Sequence, residues 1–536
     1  MCCNMQNAMK IRFIILMLAI VGCFTSCYDD KSNDSVKTIN PLVIDMGGVP
    51  TSMSAFLLDT LEIKPVVYKI GSDDADLSYK WEISGNDIMP FVLDSTMTLK
   101  AVVSVAPNSN PYTIILTVTD NRTNLQNYEQ FSLSVYSNLG KGLVVADTRD
   151  GINTDLNLIM SQNFTENFLQ PFNEKDNTIL KNVYSTTNGG KLIEGLATGM
   201  VTSFYDDNRI LTVTTDHSVL QMDPFDYVQG MVDNEIFFIP VPEEQFKPMC
   251  LMYDNSAYYE LLIMDHVVYA RRTRWGNKNY SASLETSDLS PYRATLGCSF
   301  IEGSNTRSLY VYDELNGRFL KCPYEYNELQ VVRQTGSGPF DINNVGKMNA
   351  LFMAPGKDDA IYTVFETKDG GKRYLYTFDG GTLYVPTCTA LKLYDLTSYP
   401  GIMNTVGFDS SPLEDVLYYA TDKKVYSLLL EGTNPQAFER YEVEDPDEKI
   451  TSIRVWRKGW QGKMKFKDSS SGEGYTTDWA MNRMMVITIY NESTKEGKIV
   501  AIPIMNIGSG ILEKDKDFHQ VYEGFGRILC ITPQTV

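Results

Sequence analysis

The chain has few of the residues that usually carry enzyme chemistry. Its 536 residues include three histidines, His217, His266 and His519, and no pair of cysteines has the C-x-x-C spacing of a zinc or redox site. The G-x-S-x-G, H-E-x-x-H, Walker A and EF-hand spacings are also missing. We therefore expect no cofactor, no metal and no catalytic residue, although a carboxylate pair that cleaves glycans would leave no such spacing.

Positive charge is scarce as well. The chain has 47 lysines and arginines against 67 aspartates and glutamates, a net charge of −20 at pH 7. This balance opposes binding to nucleic acid or to anionic lipid headgroups. The five cysteines beyond position 27 are far apart and predict neither a zinc site nor an assignable disulfide: Cys250, Cys298, Cys322, Cys388 and Cys530.

The first residues have the pattern of an export signal. Two basic residues, Lys10 and Arg12, precede an apolar run of about a dozen residues, which is too short to span a bilayer of about 30 Å. Small residues then lead directly into Cys27. We predict a lipoprotein signal peptide over residues 1–26, acylation of Cys27 with Cys23 as the competing site, and a flexible tether over residues 27–40.

Long stretches of helical period are missing from position 41 onward, where short runs rich in β-branched and aromatic residues alternate with turn residues. In residues 41–137, the segment Leu77–Ile83 alternates with Trp81 on its apolar face, and Tyr112–Asp120 and Phe131–Val135 have a similar pattern. About 95 residues with a central tryptophan predict an immunoglobulin-like sandwich.

The remaining residues, 138–536, contain a repeated unit of strand, polar turn and strand. The turns fall near positions 151, 216, 265, 316, 370, 422 and 495. Most intervals are about 50 residues, which leaves room for four strands in each repeat. We therefore predict an all-β protein whose sandwich is followed by a β-propeller of about seven blades, with six or eight as alternatives, and with inserted loops in the long first and last intervals.

The Tyr79-x-Trp81 strand and the Tyr112–Asp120 strand resemble a PKD-like domain. Together with Cys27 and the segment Gly140–Asp147, the whole arrangement resembles the PKD-like family of Bacteroidetes lipoproteins. The resemblance implies an accessory protein that works beside a TonB-dependent transporter and its SusD-like lipoprotein. Asp29-Asp30 resembles a surface-export signal, which implies an outer-membrane protein facing the cell exterior. The family supplies no functional residue that can be carried over.

Two segments are candidates for a binding surface. The first is basic and aromatic in an acidic protein, and the second holds three of the five tryptophans. We expect both to be exposed and to bind a glycan, a peptide or a partner protein, since guanidinium groups pair with carboxylates and aromatic rings stack. The alternative is that they pack inside the fold. The candidate residues are Arg271, Arg272, Arg274, Trp275 and Tyr280, then Trp456, Trp460 and Trp479.

These features favour a surface-anchored binding or assembly module of an outer-membrane complex that takes up glycans or peptides. One alternative is a propeller-fold carbohydrate hydrolase or lyase that uses carboxylates. Another is a structural or adhesive surface protein. Carboxylates clustered in the central cavity would favour the enzyme.

The anchor prediction can be tested by metabolic labelling with an acyl-chain probe. The wild-type chain should be labelled and Cys27→Ala should lose the label, because the thiol of Cys27 is the predicted attachment point. Cys23→Ala is the control and should stay labelled. Labelling that survives Cys27→Ala but not Cys23→Ala would move the site, and labelling that neither change affects would remove the lipoprotein prediction.

Overall fold

The computed structural model describes residues 40–71, 76–86, 88–108, 110–137, 139–165, 178–205, 208–254, 259–273, 278–299, 308–323, 327–381, 387–457, 464–467, 474–477 and 482–534. The predicted signal peptide and Cys27 lie outside these ranges, as do Arg274, Trp275, Trp460 and Trp479. None of the helices within the ranges has the length and apolar character needed to cross a bilayer.

The N-terminal unit is a β-sandwich. Its main sheet has the order β2-β9-β8-β5-β6, and the pairs β1-β4 and β3-β7 pack against it. The strands are β1 (Leu42–Asp45), β2 (Ser52–Phe56), β3 (Thr60–Ile63), β4 (Val66–Lys69), β5 (Leu77–Gly85), β6 (Ile88–Asp94), β7 (Leu99–Val102), β8 (Tyr112–Asp120) and β9 (Leu125–Tyr136).

The predicted alternation of this unit is confirmed. Trp81 is fully buried at the centre of β5, and its indole N–H donates to the carbonyl of Thr96 at 3.0 Å. Asp120, at the end of β8, is also buried, and it pairs with Lys69 and accepts the hydroxyl of Thr123 at 2.8 Å. Most of the residues that carry the PKD-like resemblance are therefore buried, and Tyr79 is half-buried. β3 ends before Pro65, which has no N–H to donate to a neighbouring strand, and β4 begins directly after it.

The described residues of the second unit form a ring of seven blades, which confirms the predicted propeller. Blade 1 contains β10 (Gly142–Thr148), β11 (Asp155–Met160) and β12 (Thr178–Leu180); blade 2 contains β13 (Ala197–Tyr205), β14 (Asn208–Thr215), β15 (Val219–Met222) and β16 (Gln229–Val232); blade 3 contains β17 (Pro248–Asp254), β18 (Tyr259–Met264) and β19 (Val267–Arg272); blade 4 contains β20 (Glu285–Thr286), β21 (Ala294–Ser299), β22 (Ser308–Asp313), β23 (Arg318–Pro323) and β24 (Glu328–Val331).

Three further blades complete the ring. Blade 5 contains β25 (Arg333–Gln334), β26 (Asn349–Pro355), β27 (Ala360–Glu366), β28 (Arg373–Asp379) and β29 (Thr387–Asp395); blade 6 contains β30 (Gly407–Ser411), β31 (Glu414–Ala420), β32 (Lys424–Leu429) and β33 (Gln436–Glu442); blade 7 contains β34 (Glu448–Val455), β37 (Met484–Asn491), β38 (Glu496–Met505), β39 (Ile511–Leu512) and β40 (Gln520–Phe525). A separate hairpin, β35 (Met464–Lys467) with β36 (Gly474–Thr477), interrupts blade 7.

Helical structure in the described ranges is short. One α-helix, Val183–Thr187, follows β12. The 3-10 turns are Asp233–Ile236, Glu243–Gln245, Lys357–Asp359, Ile402–Asn404 and Lys516–Phe518.

All seven predicted turns join the second and third strands of a blade, counted outward from the central axis. In blade 3, for example, β18 and β19 pair in register from Tyr259↔Arg272 to Met264↔Val267 across the turn at Asp265-His266. Both turn residues have positive φ, as a two-residue hairpin requires. The long last interval contains the inserted β35-β36 hairpin, as the spacing predicted.

The last strand of the described chain closes the ring. β41 (Arg527–Gln534) pairs antiparallel with β10 and becomes the innermost strand of blade 1, so that this blade is built from both ends of the propeller sequence. The buried carboxylate of Asp147 reinforces the closure, since it accepts the backbone N–H of Gly526 and the side-chain amide of Asn157 at 2.9 Å. Gln534 donates to the carbonyls of Gly140 at 2.8 Å and Pro224 at 3.1 Å.

The segment between the sandwich and β10 also contacts the propeller. The hydroxyl of Ser137 donates to the carbonyl of Phe225 at 2.6 Å, and Leu139 is buried in a cluster that includes residues of blades 1 and 2. The sandwich is thus joined to the propeller on the side of these two blades.

Gly526 provides a test of the closure. A Cβ atom at this position would lie 2.3 Å from the carbonyl oxygen of Thr148, which is backbone and cannot move away. Gly526→Ala should therefore lower the midpoint of thermal unfolding, at a cost of about 1–3 kcal/mol typical of overpacking. Gly371→Ala is the matched control, since its Cβ would meet nothing closer than 3.4 Å. Equal melting of the two variants would contradict this account of the closure.

Candidate functional site

The innermost strands carry a repeated irregularity. Six of them have a β-bulge within a few residues of their start. At each bulge, one extra residue of the innermost strand is not paired with the second strand of the blade. In blade 6 the equivalent residue is Val406, whose N–H donates to Ala420, the residue that already pairs with Gly407. The seven bulge residues therefore form a ring at one end of the propeller: Thr198, Met249, Thr295, Leu351, Val406, Thr451 and Leu529.

Inside this ring lies the central cavity, with a volume of about 710 Å³. Residues of all seven innermost strands line it, including four of the bulge residues. Three of those four are apolar and still exposed, Met249 at 37%, Leu351 at 37% and Val406 at 39%. A cavity of this size, with apolar side chains open to solvent, is typical of a site for a small ligand.

The described residues that line the cavity include four charged side chains, three of which are paired. Asp409 is buried, pairs with the guanidinium of Arg457, and accepts the backbone N–H of Val455 at 2.6 Å. Arg373 binds Glu366, with Nη2 and Oε1 2.9 Å apart. Arg454 is exposed and forms no hydrogen bond or ion pair with a described residue. The cavity therefore has a surplus of positive charge in a protein whose net charge is −20.

Three cysteines on the innermost strands also face this region. Burial raises the pKa of Cys250 to about 11 and that of Cys530 to about 12, and the positive charge of Arg454 opposes both shifts. Burial also raises the pKa of Cys298. All three are free thiols. At neutral pH they are protonated, so they act as small apolar groups and neither carry charge nor serve as nucleophiles.

The expectation that Arg271 and Tyr280 are exposed is wrong. The side chains of Arg271 and Glu260 are fully buried, with Nη2 and Oε2 2.8 Å apart. The guanidinium also donates to the hydroxyl of Thr212 at 2.8 Å and the carbonyl of Lys278 at 2.8 Å, and the Tyr280 hydroxyl donates to Glu260. The group joins blades 2 and 3, because a guanidinium can satisfy a buried carboxylate and several oxygens at once. Arg272 is half-buried.

The expectation for Trp456 needs a similar correction. Its side chain is 4% exposed, and its ring packs edge-on against Phe164, with centroids 5.1 Å apart. This contact joins blade 7 to blade 1. Trp456 nevertheless belongs to the wall of the central cavity, beside Arg457. Whether Trp275, Trp460, Trp479 and Arg274 bind a partner stays a prediction, because they lie outside the described residues.

The polar turn residues have structural partners. His217 Nδ1 lies 2.9 Å from Asp216, and His266 Nδ1 lies 3.0 Å from the carbonyl of Ala294. Asp150 accepts the backbone N–H groups of Ile152 and Asn153, both at 2.8 Å, as an aspartate in a tight turn does. Across the described ranges, no group of three or more histidine, cysteine or acidic residues is arranged to hold a metal ion.

Sequence reasoning missed both Arg454 and the ring of bulges. The signal was present in the innermost strands, where Arg454 interrupts an otherwise uncharged run, Ile450–Val455. Recognising it requires an alignment of the seven strands by their bulges, and a bulge cannot be read from one strand alone.

Parts of the chain are similar to known proteins. Residues 27–195 match the PKD-like family, which spans the sandwich and continues into the first blade. No curated protein matched the chain. A solved structure of a quinonprotein alcohol dehydrogenase-like protein from Bacteroides thetaiotaomicron is 15% identical, covers 91% of this chain and 98% of its own, and has a TM-score of 0.44. The WD40 domain of SCAP from fission yeast is 11% identical, covers 61% of this chain and 72% of its own, and has a TM-score of 0.32.

The buried Arg271–Glu260 pair gives a prediction opposite to that for an exposed binding residue. Arg271→Ala leaves the Glu260 carboxylate buried without its cation, and breaking such a pair costs about 3–5 kcal/mol. We expect the variant to melt at a lower temperature than the wild type. Removing both charges, in Arg271→Met with Glu260→Gln, should recover part of the loss. If Arg271→Ala melts at the same temperature as the wild type, the interpretation of Arg271 as an exposed binding residue would be restored.

Proposed function

We propose that this protein is a lipid-anchored binding module of an outer-membrane complex that takes up glycans or peptides, and that its propeller holds ligand in the central cavity. The observation that carries the proposal is the cavity itself. It is large enough for a small ligand or the end of a chain, and its exposed side chains come from different blades. Blade strands support such a site while the residues that line it vary.

The charged groups of the cavity favour binding over hydrolysis. Acid–base cleavage of a glycosidic bond normally uses two carboxyl groups placed about 5–10 Å apart. Among the described lining residues the only carboxylate is Asp409, and it is already paired with Arg457. The carbohydrate hydrolase or lyase therefore gains no support from this site. Exposed apolar side chains grouped in an open cavity favour a binding protein over a purely structural one.

The cellular setting rests on the sequence. The signal over residues 1–26, Cys27 and Asp29-Asp30 support an anchored protein on the outer face of the outer membrane. The PKD-like match over residues 27–195 agrees with a spacer between anchor and propeller. A TonB-dependent transporter and a SusD-like lipoprotein are the proposed partners, and they would pass on what the propeller captures.

Filling the cavity should weaken ligand binding. Val406→Trp combined with Leu351→Trp places two large rings at the mouth, where both native side chains are exposed. Saturable binding of oligosaccharides or short peptides, measured by calorimetry, should weaken by tenfold or more, about 1.4 kcal/mol.

The control is Val521→Trp, which adds the same ring at an exposed position of β40, an outer strand of blade 7. It should bind as the wild type does, and all variants should melt near the wild-type temperature. Undiminished binding by the double variant would move the site away from the cavity.

A further inference from the structure

Aligned by their bulges, the seven innermost strands show one position that differs from its equivalents. Arg454 lies three residues beyond the bulge at Thr451. The equivalent residues, three positions after each of the other bulges, are small, apolar or already hydrogen-bonded. All of them are buried except Val201, which is half-buried. They are Val201, Met252, Cys298, Ala354, Asp409 and Thr532. Arg454 alone at this level is exposed to the cavity.

Arg454 is exposed and is one of the residues that line the cavity. Its charge acts on the thiol of Cys530 in the neighbouring blade 1 and on that of Cys250 in blade 3, on the other side of the ring. Among the described residues that line the cavity, the only carboxylate is Asp409, at the same level in blade 6, and it is held by Arg457 and by the backbone of Val455. The guanidinium of Arg454 is therefore without a described hydrogen-bond partner.

The groups around Arg454 define what would pair with it. The cavity mouth offers Met249, Leu351 and Val406 as exposed apolar surface. Neutral thiols and further apolar side chains line the wall. A ligand that complements this arrangement has a largely uncharged body and one anionic group. A planar guanidinium binds a carboxylate through two parallel hydrogen bonds, which gives both strength and orientation.

We propose that Arg454 is the anchor for a carboxylate in the central cavity, so that the ligand is a glycan or peptide bearing a single carboxyl group. The inference rests on the proposed function, because it assigns the ligand class of the same cavity. The carboxylate comes from a uronic acid in the first case and from a free C-terminus in the second.

Two matched pairs of probes test the inference. Galacturonate and galactose differ in having a carboxylate or a hydroxymethyl group on the same ring. N-acetyl-Leu-Ala and its amide differ in having a carboxylate or an amide at the C-terminus. In at least one pair the acid should bind the full-length protein about tenfold or more tightly than its neutral partner, as charge-assisted hydrogen bonds give. The pair that shows this preference identifies the source of the carboxylate.

Arg454→Gln should remove the preference, so that the acid and its neutral partner bind with similar affinity. Arg454→Lys should keep part of it, since it keeps the charge but not the planar fork. Arg333→Gln is the matched control and should keep all of it. Arg333 is also exposed and also has no described ion pair, but it lies on β25 at the outer edge of blade 5.

Three results would overturn the inference: equal affinity for acid and neutral probe in both pairs, a preference that survives Arg454→Gln, or no saturable binding of either acid. Failure of the proposed function is a separate result. It would be seen as probe binding that survives the double tryptophan variant. If neutral probes bind as tightly as the acids and the double variant weakens that binding, the cavity is upheld and only the carboxylate is rejected.

Discussion

The pairing of β41 with β10 is the constraint on which the rest of the molecule depends. A single blade is too thin to bury both of its faces, so each blade is stable only between two neighbours. Joining residues nearly four hundred positions apart costs about 5 kcal/mol of chain entropy, which the ladder, the buried Asp147 and the packing of blade 7 on blade 1 must offset. The cavity exists only when this pairing has formed.

Much of the architecture could be predicted because it follows from local patterns. A hairpin turn demands particular residues, such as the positive-φ pair Asp265-His266, so all seven turns were visible in the sequence. The alternation of β5 was equally clear, and the burial of Trp81 within this strand followed from it. Such signals depend on residues close together in the chain and need no knowledge of the neighbouring blade.

The candidate site was harder to predict because it depends on residues from different blades. Arg271 and Tyr280 look like a surface cluster in the sequence, and only the position of Glu260 shows that they are buried. Arg454 is the opposite case. It lies in a mostly apolar run that predicts burial, yet its side chain is exposed in the cavity. The sequence shows where arginine and tryptophan occur, but which residues they contact depends on the tertiary structure.

The composite first blade also has a consequence for the order in which the protein is built. During synthesis the six later blades can stack one after another, but the cavity wall is incomplete until residues 527–534 have been made. Cys530, Ile531 and Thr532 are therefore among the last described residues of the cavity wall to be synthesised. The ring, and with it the cavity, therefore closes only after residues 527–534 have been made.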